Sequence, residues 1–302
     1  MRPHRLRLPH LGALLLAGLL AAAAARAQRE PDVPYVPTAD NVVEAMLKMA
    51  EVTRNDFVLD LGSGDGRIPI AAAKRYGARA EGIEIDANLI NTARAEAQRQ
   101  GVAGRVTFVN ENLFMTDLAR ATVITMYLFP SINLQLRPRL LALKPGTRIV
   151  SHDFDMGEWT PDGRLGLAVP DKPYGPPSSQ IYFWVVPANG AGRWQWQVGG
   201  ALAHRHFDMQ IAQNFQQVEA KVTIDGVPVR AANAKLRGDR LTFSVGFEYL
   251  GRETWYEFDG RIDGDEIEGH VHRREERRES ELKWRARRVQ RGEVGTGTRE
   301  PQ

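Results

Sequence analysis

A glycine-punctuated turn between an apolar run and a helical pattern constrains this chain more than any other feature. The segment is Val58-Leu59-Asp60-Leu61-Gly62-Ser63-Gly64-Asp65-Gly66-Arg67. Phe57–Leu61 reads as a buried strand. Arg67–Tyr76 reads as a helix, with Pro69 tolerated in its first turn and Gly77 ending it. Without Cβ atoms, Gly62, Gly64 and Gly66 let the backbone bend sharply and approach a ligand closely. The spacing is G-x-G-x-G, which is neither the G-x-G-x-x-G of dinucleotide binders nor a P-loop, since no Lys-Ser/Thr follows.

The surrounding sequence alternates. A helix is expected through Ala50, capped by Thr38 or Asp40, with Val42, Val43, Met46, Leu47 and Ala50 on one face. Further strands are expected at Ala80–Ile85, Val106–Val109, Ala121–Leu128 and Thr147–Asp153, with a later one at Ile181–Val186. Helices fall between them at Ala87–Gln100 and Ser131–Leu143. This order argues a parallel sheet covered by helices on both faces. After about residue 190 the helical periodicity stops. Short alternating runs follow, separated by Asp225-Gly226, Gly238-Asp239, Asp259-Gly260 and Asp263-Gly264, which read as hairpin turns. The expected organisation is therefore α/β over residues 28–189, then an antiparallel β-barrel or sandwich over 190–291, then a disordered tail over 292–302.

Residues 1–27 have the three parts of a secretory signal peptide: basic Arg2, Arg5 and Arg7, apolar Leu11 to Ala25, and small residues at Ala25 and Ala27. Cleavage after Ala27 gives a periplasmic or secreted protein with no integral membrane span. It also removes four arginines, which takes the formal charge from +3 to −1. The high pI thus gives no argument for nucleic acid, and none is expected as a partner. The chain has no Cys, so thiolate metal sites, disulfides and Cys nucleophiles are excluded. Two His-x-His pairs, His204/His206 and His270/His272, carry metal-ligating side chains but read as hairpin-edge residues, and no metal is expected. The charged stretch from Arg273 to Arg288 mixes both signs and reads as a solvated strand face.

Chemistry gathers at the carboxyl ends of the strands, where open parallel sheets bind ligands. Glu84 stands eighteen residues past Gly66, near the end of the second strand. A carboxylate there can accept hydrogen bonds from both ribose hydroxyls of an adenosine cofactor. Read alone, the turn also suits other α/β enzymes, a nicotinamide-dependent oxidoreductase with an atypical fingerprint among them.

Asp60–Gly66 with Glu84 resembles motifs I and II of the class I S-adenosylmethionine (SAM) dependent methyltransferases. Pro34-Tyr35-Val36-Pro37-Thr38 and the Leu143-Lys144-Pro145-Gly146 turn bring the chain closer to one branch. It resembles bacterial relatives of the mitochondrial lysine N-methyltransferases that act on the ATP synthase c-subunit and the adenine nucleotide translocase. The resemblance covers roughly residues 34–160. It implies a Rossmann-like domain that binds SAM. Tyr35 and Thr38 would help close over the cofactor. Gly62, Gly64 and Gly66 would form the turn beneath it. Asp60 would orient its amino group, Glu84 would hold its ribose, and Asn112 would face its adenine. The acceptor slot is expected after the fourth and fifth strands, with Tyr127, Phe129 and Pro130 lining it and His152 or Asp153 accepting a proton or orienting an amine. These aromatics could equally be core-edge residues, and His152 and Asp153 could cap a loop. The expected reaction is transfer of a methyl group to an amine, with protein lysine a candidate acceptor. A small-molecule acceptor is the alternative, as is an exported SAM-binding or scaffold module without catalysis.

Overall fold

The computed structural model describes residues 34–198, 205–249, 252–275 and 278–297. The signal-peptide reading, His204 and residues 298–302 of the expected tail lie outside the described residues. The first sheet is built from β1 (Phe57–Leu61), β2 (Arg79–Glu84), β3 (Val106–Asn110), β4 (Val123–Met126), β5 (Arg148–His152), β6 (Gly163–Ala168) and β7 (Ser178–Val185). Their spatial order is β3-β2-β1-β4-β5-β7-β6. Strands β1 to β5 run parallel to one another, and β7 runs antiparallel to both β5 and β6. The order reverses between β1 and β4, which creates the crevice where such sheets take ligands.

Among the described residues four helices cover this sheet: α1 (Asp40–Met49), α2 (Arg67–Tyr76), α3 (Ala87–Arg99) and α4 (Pro130–Leu141). Helix α1 buries Val42, Val43, Met46 and Leu47 against the face that carries Val58, Val123, Val150 and Phe183. Burial of each such side chain contributes about 1.5–3 kcal/mol. Leu59, Leu61, Ile124 and Met126 alternate with those positions and point to the other face, while α4 buries Ile132, Leu136 and Leu140. The expected cap on α1 is corrected: Ala39 is its N-cap, with no side-chain cap bond. The Thr38 hydroxyl is turned instead toward His152.

The second sheet closes on itself. It runs through β8 (Gly192–Gln197), β9 (His206–Asn214), β10 (Gln217–Ile224), β11 (Val227–Arg237), β12 (Arg240–Tyr249), β13 (Arg252–Asp263), β14 (Glu266–Glu275) and β15 (Arg278–Arg291). Each strand pairs antiparallel with the next, and β15 returns to β8. The architecture is therefore a barrel, with no sandwich. Closure removes the two exposed edges an open sheet would leave. Aromatic rings fill the interior: Trp196 lies within 5.1–6.0 Å, centroid to centroid, of Phe207, Phe243, Phe258 and Trp284.

Asp225 and Gly226 both have positive φ and form the expected tight hairpin turn. Asp259-Gly260 is a correction, because it lies inside β13. A Cβ on Gly260 would stand 2.7 Å from Ile267 and 3.1 Å from Trp284, so the glycine makes room for an interior ring. The expected frayed tail is also corrected in part. Strand β16 (Val294–Gly295) pairs parallel with β9, and the Phe215 N–H donates to the Gly295 carbonyl at 2.8 Å. Arg288, read as part of a solvated face, is buried with its guanidinium 4.3 Å above the Trp194 ring. The described residues from Tyr35 onward form one compact unit that contains both sheets. No helix among the described residues is long and apolar enough to cross a membrane.

Candidate functional site

The turn after β1 is held by its own backbone. The N–H groups of Gly62 and Ser63 both donate to the Ile83 carbonyl at 2.9 Å. The Gly64 N–H donates to Glu84 Oε2 at 2.9 Å. Gly64 has φ +53°, and a Cβ there would lie 2.6 Å from the Tyr35 ring. The ring of Tyr35 thus rests on the bare face of the turn, 46% exposed. Gly66 has a different duty. A Cβ on it would strike Phe108 at 2.6 Å and Ala93 at 2.8 Å, so it lets α3 and β3 pack tightly against the start of α2.

Glu84 is buried at the end of β2, and its second oxygen accepts from the N–H groups of Ile85 and Asp86 at 2.8 and 2.9 Å. Asn110 holds this corner, its amide donating to the Glu84 and Ile85 carbonyls. Asp60 is 2% exposed. It accepts a hydrogen bond from the Thr125 hydroxyl at 2.6 Å. Burial pushes its carboxyl up to about 7; the Thr125 bond opposes this, and the nearby Glu84 and Asp65 carboxylates add to it.

Arg67 ties the turn to the segment ahead of α1. It grips Asp65 with Nε at 3.0 Å and Nη2 at 2.6 Å, and its Nη1 donates to the Thr38 carbonyl at 2.7 Å. The Thr38 hydroxyl lies 3.2 Å from His152 Nδ1, and His152 Nε2 lies 2.8 Å from the Ser179 hydroxyl. Burial drives the His152 imidazole down to about 4, with Asp153 raising it and Lys172 lowering it further. His152 is therefore neutral at pH 7, with both ring nitrogens engaged.

Past β5 the backbone of Asp153 is left-handed, at φ +61°. Its Oδ1 accepts from the Gln180 N–H at 3.0 Å. Its Oδ2 accepts from the Lys172 ammonium at 2.5 Å and the Tyr127 hydroxyl at 3.2 Å. Lys172 holds the Asp153 carboxyl below its usual range despite burial, which opposes ionisation. Burial and the Asp153 charge raise the Tyr127 phenol to about 12. The Tyr127 ring packs 3.9 Å from His152 and 6.2 Å from Phe154, centroid to centroid. Buried Asn133 braces the loop from α4, its amide donating to Ser151, Phe154 and Asp155.

Tyr35, Thr38, Asp60, Gly62, Gly64, Glu84, Tyr127, His152 and Asp153 thus lie at the carboxyl ends of β1, β2, β4 and β5 or in the segment bonded to them. Asn112 joins no other candidate; its amide oxygen accepts from the Phe114 N–H at 2.9 Å. Sequence reasoning missed Thr125, Arg67, Ser179 and Lys172. Thr125 leaves a trace, as the one polar residue of an otherwise apolar strand. Nothing local marks Lys172. Among the described residues no group of three or more His, Asp or Glu side chains could hold a metal ion.

Residues 60–163 match the ANTKMT methyltransferase domain family. The chain is 48% identical over 133 residues to the protein-lysine N-methyltransferase of Saccharolobus islandicus, covering 43% of this chain and 83% of that protein. It is 36% identical over 146 residues to the ATP synthase c-subunit lysine N-methyltransferase of Rattus norvegicus, covering 48% of this chain and 67% of that one. Among solved structures, an RNA methyltransferase of Salinibacter ruber in complex with S-adenosyl-L-homocysteine is 47% identical, with a TM-score of 0.46, and the match covers 50% of this chain and 94% of that one.

Proposed function

The chain belongs to the SAM-dependent methyltransferase family that includes the protein-lysine N-methyltransferases, and from that premise we propose that it methylates the side-chain amine of protein lysine. The observation that carries this reading is the Asp153–Tyr127 pair. It already holds an ammonium, and its Tyr127 lies just past the end of β4, two residues beyond the Thr125 that bonds Asp60. A carboxylate and a phenol oxygen suit a primary ammonium and make a poor seat for an apolar acceptor.

The residues present fit the cofactor. Gly64 lets the Tyr35 ring come down on the turn, where it would border the cofactor, Glu84 offers a carboxylate for hydroxyl groups, and Asp60 offers a carboxyl for an amino group. SAM supplies an activated methyl group on a sulfonium. The protein's own part is to orient the amine in line with that carbon and exclude water, which can supply up to roughly 7–11 kcal/mol in ideal cases. Tyr127 and Asp153 orient the amine. Asp153 passes its proton to solvent, and His152, kept neutral, fixes the loop through Thr38 and Ser179.

The N-terminal segment supports export, so this enzyme acts outside the cytosol and needs SAM there. Cell fractionation followed by incubation with methyl-labelled SAM tests both points. The expected result is label on protein in the exported fraction, lost in Gly64→Arg. Label confined to small organic extracts would overturn the protein acceptor, and enzyme found only in the cytosol would overturn export.

A further inference from the structure

The connection between β6 and β7 reads Val169-Pro170-Asp171-Lys172-Pro173-Tyr174-Gly175-Pro176-Pro177-Ser178. From Pro170 to Ser178 every residue but one is exposed. The exception is Lys172, whose side chain is 8% exposed. Lysine is among the side chains least often buried, because desolvating an ammonium is costly. Backbone bonds already shape this loop: Val169 N–H to the Pro177 carbonyl at 2.9 Å, Lys172 N–H to Val169 at 3.1 Å and Ser178 N–H to Pro176 at 2.7 Å. None of them requires the lysine to turn inward. The partners of the ammonium explain why it does: Asp153 Oδ2 at 2.5 Å and the Ser178 carbonyl at 2.8 Å.

Those partners belong to the acceptor region. Tyr127 shares Asp153 Oδ2 with Lys172. His152, next in the chain, is bonded to Thr38, whose carbonyl receives Arg67 from the glycine turn. An amine on Asp153 therefore stands just past the carboxyl ends of β4 and β5, where the acceptor slot is expected. We infer that Lys172 is an intrachain methyl acceptor, so that the protein methylates itself at this position. The inference rests on the proposed lysine methyltransferase function.

The step balances. The Lys172 ammonium gives up one proton, through Asp153 to water. The lone pair on Nζ then forms a bond to the methyl carbon as the carbon–sulfur bond breaks and its electron pair goes to sulfur. The products are a protonated N-methyl-lysine, adenosylhomocysteine and the released proton. Methylation keeps the positive charge and removes one N–H donor. A monomethyl ammonium retains two donors, enough for both Asp153 and Ser178; a dimethyl ammonium must abandon one. The reaction is therefore expected to stop at one methyl group.

The test incubates the purified full chain with methyl-labelled SAM and no other protein, followed by intact mass and peptide mapping. The expected result is a gain of about 14 Da, the replacement of one hydrogen by a methyl group, on the peptide that holds Lys172. Its rate per molecule should not change on dilution. Lys172→Arg and Lys172→Gln should lose the label yet bind adenosylhomocysteine calorimetrically with the wild-type affinity. Label on other lysines alone, a rate that rises with protein concentration, or no label despite adenosylhomocysteine binding and transfer to an added lysine-rich peptide would each overturn this inference and leave the methyltransferase reading standing. Absence of adenosylhomocysteine binding would overturn both.

Discussion

The Gly64 N–H donates to Glu84 Oε2 at 2.9 Å, joining the glycine turn of β1 to the carboxylate at the end of β2. Of the two residues, Gly64 tolerates substitution least. Alanine there must adopt φ +53°, which costs on the order of 1–3 kcal/mol, and its Cβ would stand 2.6 Å from Tyr35. Gly64→Ala is expected to lower thermal stability and to weaken adenosylhomocysteine binding at least about tenfold. Adding Tyr35→Ala should relieve the clash but not the backbone strain, so recovery should be partial. Full recovery in calorimetry would show that strain plays no part.

Asp60 gives the site a pH dependence. Its carboxyl titrates at about 7 in the protein without ligand, and a bound cationic amino group favours the ionised form. Binding must therefore release a proton below pH 7 and none well above it. By linkage, SAM affinity should rise several-fold from pH 6 to about pH 7.5 and decline above about pH 8, where the α-amino group of free SAM loses its own proton. Asp60→Asn should bind more weakly and show a flat profile over that range. A wild-type affinity that is constant or falls between pH 6 and about pH 7.5 would rule out this role for Asp60.

The part of this site that sequence makes legible is the part set by local backbone demands. Gly62, Gly64 and Gly66 all have positive φ, and Gly77 stops α2 at the residue where its pattern ends. Asp225-Gly226 marks its hairpin for the same reason. Where glycine serves packing at a distance, the local reading fails: Asp259-Gly260 looks like a turn but lies in mid-strand, because an indole from β15 needs its space. Strand β6 carries no pattern, being largely exposed, and exists through its pairing with β7. Thr38 reads as a helix cap, yet its hydroxyl serves a histidine 114 positions away. Lys172 meets Asp153 across two strand connections, and no spacing rule anticipates that contact.

The pairing of Lys172 with Asp153 is expected to matter for stability. Both side chains are largely shielded from solvent, at 8% and 15% exposure. Removing one partner of a buried pair leaves an uncompensated charge and costs about 3–5 kcal/mol; this partly exposed case should fall near 2–3. Asp153→Asn should therefore destabilise by that amount in denaturant unfolding. Lys172→Met placed on top should restore most of it, with a coupling of about 1–3 kcal/mol. A double variant no more stable than Asp153→Asn alone would mean that the carboxylate acts through Gln180 and Tyr127 only.

Two buried groups at the site push stability in opposite directions with pH. The folded Asp60 carboxyl sits at about 7, above its unfolded value near 3.8, so its contribution is complete below pH 3.8 and is lost as pH rises through 7. The folded His152 imidazole sits at about 4, below its unfolded value near 6.5, so its contribution is complete above pH 6.5 and is lost as pH falls through 4. Each slope approaches about 1.4 kcal/mol per pH unit where only one state binds the proton. Between roughly pH 4 and 6.5 the two windows overlap and the slopes offset. The wild type should accordingly show nearly flat stability across that interval in denaturant unfolding at fixed ionic strength. Asp60→Asn removes one slope and should lose stability as pH falls from 6.5 to 4; His152→Gln removes the other and should gain stability over the same descent. Parallel profiles for the two variants would show that the groups do not titrate as their burial requires.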